Sequence, residues 1–176
     1  MTRALLTCLA LTCNLAADGT PKGADLKASL GCDHAGYELK EFLKAQLVVL
    51  GHDVIDHGTY STEPVDYPDF CAVAAETVAS GLADFGVVVG GSGQGEQIAA
   101  NKVDGIRAAL CVNEYMARLA RAHNDANVIS FGARILAKEY ALEILKAFLS
   151  TSFEGGRHVR RLEKIAGIEK AQSGKS

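Results

Sequence analysis

The chain contains no tryptophan, and aromatic residues fill only 6% of its 176 positions. Stacking platforms for nucleic-acid bases are therefore not signalled. Positive charge is not in excess either: 18 Lys and Arg against 21 Asp and Glu give a net charge of −3, which argues against nucleic acid as a partner. Five cysteines (Cys8, Cys13, Cys32, Cys71 and Cys111) form no C-x-x-C pair. Neither a disulfide framework nor a zinc site is signalled, and reduced thiols in a cytoplasmic protein are the simpler reading. There is no internal repeat and no low-complexity segment. The apolar run in MTRALLTCLALTCNLAADG is too short to span a membrane. Residues 1–24 read as an N-terminal extension, and three origins stay open: a weak signal-like segment, a loose arm, or a start placed too far upstream.

What is present is a core-forming composition, 48% hydrophobic, at a length suited to one domain over residues 25–176. Strand-like and helix-like patterns alternate along it. Strands are expected at 26–31, 52–58, 85–91, 105–112 and 126–132, and helices at 37–51, 70–81, 96–103, 113–124, 138–151 and 155–171. The segment 59–69 reads as a loop. This alternation predicts a single-domain, doubly wound (Rossmann-like) α/β fold with five parallel strands and helices on both faces. Ligands bind such sheets beyond the carboxyl ends of the strands, which selects the loops at 31–36, 57–67, 90–96, 112–114 and 132–137.

Several of those loops carry chemistry. In GCDHAG (31–36), Asp33 and His34 suit orientation of a ligand hydroxyl and donation to an anion; Asp33 equally suits the N-cap of the next helix. GGSGQG (90–95) fails the dinucleotide fingerprint, which needs glycine where Glu96 stands, and fails the P-loop for want of a Gly-Lys-Ser/Thr. Its backbone N–H groups, with the helix start behind them, still suit a small anion nest. Four glycines with a serine exceed what a plain turn needs. Glu96 is either a favourably placed first-turn acid or a general base beside that nest. His123 and Asn124, at a helix end, suit a proton shuttle and a neutral donor, or simple C-terminal capping. Arg157 and Arg161 share one helix face, as a phosphate dianion would require, although a solvated basic face has the same pattern. Arg134, in FGAR, adds a third cation.

Together, GCDHAGYELK, DYPDF, GGSGQGEQIAANKVDGIRAALC, ARAHNDANVISFGAR and FEGGRHVRRLEKI, spread over residues 28–165, resemble the ribose-5-phosphate isomerase type B family and its allose-6-phosphate and galactose-6-phosphate isomerase relatives. The resemblance implies a cytoplasmic aldose–ketose isomerase without cofactor or metal, interconverting D-ribose 5-phosphate and D-ribulose 5-phosphate in the non-oxidative pentose phosphate branch. It implies a homodimer, or a tetramer, with active sites built from both subunits. Many members carry a cysteine base just before the glycine loop, where this chain has Gly90; a second branch, well known in mycobacteria, uses a glutamate just after the loop, and that position is Glu96. By the same carry-over, His123 opens the furanose ring with help from Asp33. Ser92 and the Gly91, Gly93 and Gly95 amides, with Gln94 in the same loop, cradle an enediolate beside Asn124. His34, Arg134, Arg157 and Arg161 hold the phosphate, the arginines partly from the second subunit, and Tyr67 lines the pocket. A six-carbon sugar phosphate, a non-catalytic sugar-phosphate sensor and a dinucleotide-dependent oxidoreductase are the competing readings.

Overall fold

A computed structural model describes residues 25–173. Residues 1–24, and with them the extension, lie outside it. The order is β1 (Lys27–Cys32), α1 (Tyr37–Val49), β2 (Asp53–Asp56), α2 (Tyr67–Ala79), β3 (Phe85–Gly90), α3 (Gln94–Ala100), β4 (Ala108–Leu110), α4 (Glu114–Asn124), β5 (Val128–Gly132), α5 (Lys138–Leu149), a 3₁₀ turn (Gly156–His158) and α6 (Val159–Ser173). The strands pair in parallel in the order β2-β1-β3-β5-β4. This is the expected five-stranded α/β sheet. Among the described residues no helix is long and apolar enough to cross a membrane.

Two apolar layers sandwich the sheet. Leu39, Leu43 and Leu47 recur every fourth residue, so α1 buries one stripe; α4 and α5 bury Ala117, Ala120, Ile144, Leu145 and Phe148 on the same side. On the opposite side α2 and α3 pack Cys71, Ala74, Ala75, Val78 and Ala100 against Val88 and Val128. With helices on both faces, β3 can be apolar throughout, and Val87, Val88 and Val89 are all fully buried. Each such side chain stabilises the fold by about 1.5–3 kcal/mol. The chain leaves β1 towards the α1 face and β3 towards the α3 face. Their carboxyl ends therefore flank a crevice at the switch point of the sheet.

Several boundaries differ from the sequence expectation. The helix expected at 70 begins at Tyr67, because Pro68 sits in its first turn, where a missing N–H costs nothing. The helix expected at 96 begins at Gln94, so Gln94 and Gly95 belong to its first turn. The strand expected over 105–112 shrinks to three residues: Asn101 uses its side-chain amide to pair with both backbone groups of Ala108 (2.8 and 2.9 Å), as a neighbouring strand otherwise would. The terminal helix is preceded by one separate 3₁₀ turn.

A buried ion cluster ties the second strand to the first helix. Lys40 Nζ, wholly buried, meets Asp56 Oδ1 at 2.8 Å, Glu41 Oε1 at 2.8 Å and the Thr59 carbonyl at 2.9 Å. Burial lowers the pKa of Lys40, but the bonds to Asp56 and Glu41 outweigh it and leave the ammonium above its ordinary value. This cluster anchors the start of the 57–66 loop, which leads into Tyr67.

Candidate active site

At the carboxyl ends of β1, β3 and β5, the structure brings together Asp33, His34, Tyr67, the 90–96 turn and Arg134. Gly93 adopts a left-handed conformation (φ 80°) that lets the chain swing from β3 into α3. Its carbonyl accepts the Ser130 hydroxyl at 2.6 Å, from inside the buried strand β5. Ala133 N–H and Arg134 N–H donate to the carbonyls of Gly90 and Gly91 at 2.8 and 3.1 Å. The turn is thus held from below by hydrogen bonds and does not depend on a ligand for its shape. The guanidinium of Arg134 lies over Gly91 and the Tyr67 ring over Gly95, close enough that a Cβ would meet them at 3.3 and 2.7 Å.

Glu96 is the unusual member. It is only 4% exposed, and among the described residues its Oε2 is a buried polar atom without a hydrogen-bond partner. Burial raises its pKa and the nearby charge of Asp33 raises it further, against a smaller opposing pull from the amides of Glu96 itself and Gly93. A carboxylate desolvated in this way is a stronger base than one in water. The Gly93 amide is thus turned to the Glu96 carboxylate and not to a ligand, unlike the expectation from sequence. Gly90 makes room for the same group: a Cβ there would overlap Glu96 Oε1 and Cδ and lie 2.8 Å from Cγ. A side chain before the turn and a buried carboxylate after it compete for one volume.

Asp33 is 9% exposed and accepts the Gly36 N–H at 2.9 Å, so it braces the turn into α1 while its charge is felt by Glu96. His34 Nδ1 lies 3.2 Å from the Val65 nitrogen and 3.3 Å from the Val65 carbonyl oxygen, which ties the ring to the 57–66 loop. Ser92 is exposed, and its Oγ accepts Gln94 N–H at 3.3 Å. Since α3 has only seven residues, its dipole is small, and the amides of the turn are the main donors available to an anion.

The three described thiols are buried and held in the protonated form. Burial pushes Cys32 and Cys111 up to about 12. It raises Cys71 as well, with the Glu96 charge adding to the effect.

The remaining predicted residues gather elsewhere. His123 and Asn124 close α4 at the opposite edge of the sheet, where β4 and β5 begin; Arg107, just before β4, donates to the Asn124 carbonyl at 2.9 Å. Arg157 and Arg161 stand beside them, flanking His158. Five residues of β5 separate the two edges, about 15 Å of extended chain. One protomer therefore does not unite Glu96 with His123. The ring of His158 is stacked on that of His123 (centroids 4.2 Å apart, 10° between planes). Glu154 Oε2 lies 3.7 Å from His123 Nε2 and 3.8 Å from His158 Nε2. These three side chains could be drawn onto a metal ion, but parallel rings aim their lone pairs side by side, and two guanidiniums oppose a cation.

Sequence reasoning missed Ser130 and His158 as supporting groups. A serine inside VISFG, and a histidine between two arginines, were the available signals.

Residues 28–165 match the family model described as Ribose/Galactose Isomerase. The chain belongs to that family. Within the ribose/galactose isomerase family it is 46% identical over 147 residues to ribose-5-phosphate isomerase B of Escherichia coli K12, covering 84% of this chain and 99% of that protein. It is 46% identical over 147 residues to the protein of the same description from Mycobacterium leprae, covering 82% and 91%. Among solved structures, ribose-5-phosphate isomerase B of Clostridium thermocellum superposes with a TM-score of 0.83 at 50% identity, over 84% of this chain and 99% of that one. The Mycoplasma genitalium structure, described with bound ribulose-5-phosphate, gives 0.79 at 39% identity, over 82% and 96%.

Proposed function

We propose that this chain is a ribose-5-phosphate isomerase acting by proton transfer, with Glu96 as the base. The observation that carries the assignment is the buried Glu96 carboxylate, whose Oε2 has no hydrogen-bond partner among the described residues. A sugar-phosphate sensor has no use for such a group, whereas abstraction of a carbon-bound proton needs an oxygen free of other protons.

Interconversion of an aldose and its ketose oxidises C2 and reduces C1 within one molecule, so no external redox carrier is required. His123, with Asp33, opens the furanose by giving a proton to the ring oxygen as the C1 hydroxyl loses one. Glu96 then removes the C2 proton, and the electron pair moves through the new C1–C2 double bond onto O1. The Gly91 and Gly95 amides and the Ser92 hydroxyl stabilise that oxyanion; one well-placed donor of this kind lowers the barrier by about 3–4 kcal/mol. The O2 proton passes to O1, and the Glu96 carboxyl returns its proton to C1.

Because His123 and Glu96 occupy opposite edges of one protomer, the working unit is a homodimer. In it, His123, Asn124, Arg157 and Arg161 of one copy complete the site around Glu96 of the other, with His34 and Arg134 at its phosphate end. The cytoplasm, where Cys32, Cys71 and Cys111 stay reduced, is the matching compartment.

The test is ketose formation by purified protein from ribose 5-phosphate and, separately, from allose 6-phosphate, with no metal or nucleotide added. Clear preference for the pentose supports the assignment. Preference for the hexose moves the protein to the other branch of the family, and binding without turnover of either sugar favours the sensor.

A further inference from the structure

We infer that His158 is a positioning residue: its buried ring fixes the plane of His123 and links it mechanically to the two arginines that grip the phosphate. This rests on the ring-opening role proposed for His123.

Four observations converge on it. His158 is 4% exposed, while Arg157 and Arg161 on either side are exposed. One face of its ring lies flat against His123 at 4.2 Å. Its two edge nitrogens meet the arginines: Arg157 Nε is 3.4 Å from Nε2, and Arg161 Nη1 is 3.3 Å from Nδ1. Glu154 approaches both rings through Oε2 and ties its own segment to α4 through its N–H, which donates to the Ala122 carbonyl at 2.9 Å.

The need for such a part is physical. The last side-chain torsion of a histidine has a broad, shallow profile, and the His123 side chain is 31% exposed. Left alone, the ring samples many orientations, and few of them aim a nitrogen at a sugar ring oxygen. A flat partner in van der Waals contact removes most of that freedom. The partner must also stay neutral, so that His123 can take up a proton without stacking on a like charge. Burial, followed by the charges of His123, Arg157 and Arg161, holds His158 below the usual histidine range, and the geometry gives the same answer: an imidazolium there would face two guanidiniums. Because the same ring touches both arginines, a phosphate that draws them together also presses on the stack. Phosphate capture and ring orientation thereby share one mechanical element.

The test compares His158→Phe, which keeps a flat ring, with His158→Gln, which keeps polar atoms without one. Each is made in the full chain, with His123→Ala as reference. On ribose 5-phosphate the Phe variant is expected within about threefold of the parent kcat, whereas Gln lowers kcat by roughly 10- to 100-fold, the scale of a misaligned catalytic group. Melting temperature stays near parental in both, and in Gln any rise in KM is smaller than the fall in kcat. The His123 Cε1–H proton resonance, shifted by the ring current of its partner, keeps its position in Phe and moves in Gln. His158→Leu replaces Gln if Gln melts early. Equal behaviour of Phe and Gln, an unmoved resonance in Gln, or a loss confined to KM would overturn the inference; the last outcome would make His158 a direct phosphate contact. An inactive parent, or a His123→Ala variant as fast as the parent, would instead overturn the function proposed above.

Discussion

Gly90→Ala is the most revealing single change. Gly90 is not among the glycines with positive φ, so its backbone accepts a side chain, and the glycine is needed for space alone. An alanine Cβ would overlap the carboxyl of Glu96. Ordinary contact between such atoms is about 3.5 Å, so the carboxyl must move by roughly 1–2 Å. A displacement of that size costs on the order of a hundredfold in rate, or about 2.7 kcal/mol of barrier. The expected result is a kcat lowered at least a hundredfold on ribose 5-phosphate. The stability cost should be that of an overpacked site, about 1–3 kcal/mol, partly offset because the displaced carboxylate regains water. Turnover is measured with a ketose-specific assay and stability by urea unfolding, for Gly90→Ala, Glu96→Ala and the double variant. Since the two side chains contend for one volume, the stability cost of alanine at 90 should vanish once residue 96 is alanine, a coupling that the double-mutant cycle reads directly. Near-parental turnover in Gly90→Ala, or the same stability cost in both backgrounds, would refute the shared-volume argument.

Three further expectations follow from the geometry. Mixing inactive Glu96→Gln with inactive His123→Ala through unfolding and refolding should restore about a quarter of parental activity, since half the dimers are mixed and each holds one intact composite site; no recovery would mean that the two groups never share a site. Burial raises the pKa of Glu96, so the native state holds that proton to higher pH than the unfolded chain and loses stability as pH rises past the ordinary carboxylate range. Glu96→Gln should therefore melt higher than the parent at neutral pH, with the gain fading below about pH 4, where both states are protonated, and the acid limb of the parental kcat profile should fall above the ordinary glutamate range. Asp56→Asn leaves the buried ammonium of Lys40 with Glu41 as its one carboxylate partner among the described residues and should cost about 3 kcal/mol in urea unfolding. Burial raises the Asp56 pKa, but the bonds to Lys40 and Lys44 outweigh it and leave it low, so this contribution is complete above the ordinary aspartate pKa and is lost as pH falls through the native value.

The fold was legible because each element agrees with its period. A straight apolar run marked β3, and leucines four apart marked α1. The edges were less legible, since Asn101 takes over the pairing of β4 through a side chain that no periodicity announces. In the site, the glycine turn and Glu96 could be seen together because they are adjacent in sequence. That Gly90 and Glu96 occupy one volume could not, because it depends on how the turn folds back. His123 and Glu96, only 27 positions apart in sequence, lie at opposite ends of the sheet because α4 runs antiparallel to the strands, and chain order alone does not reveal that reversal.

The amide of Asn101 on Ala108 has a consequence for how copies of this chain can meet. Ala108 is the first residue of β4, a border of the sheet, and such a border ordinarily invites a stranger's strand to continue the ladder without limit. Here its N–H and carbonyl are already engaged, and Gln97 adds a second donor to the carbonyl at 3.2 Å. Growth by sheet extension is blocked at that rung. A strand arriving at this border would find its first rung already taken by side chains of the same chain.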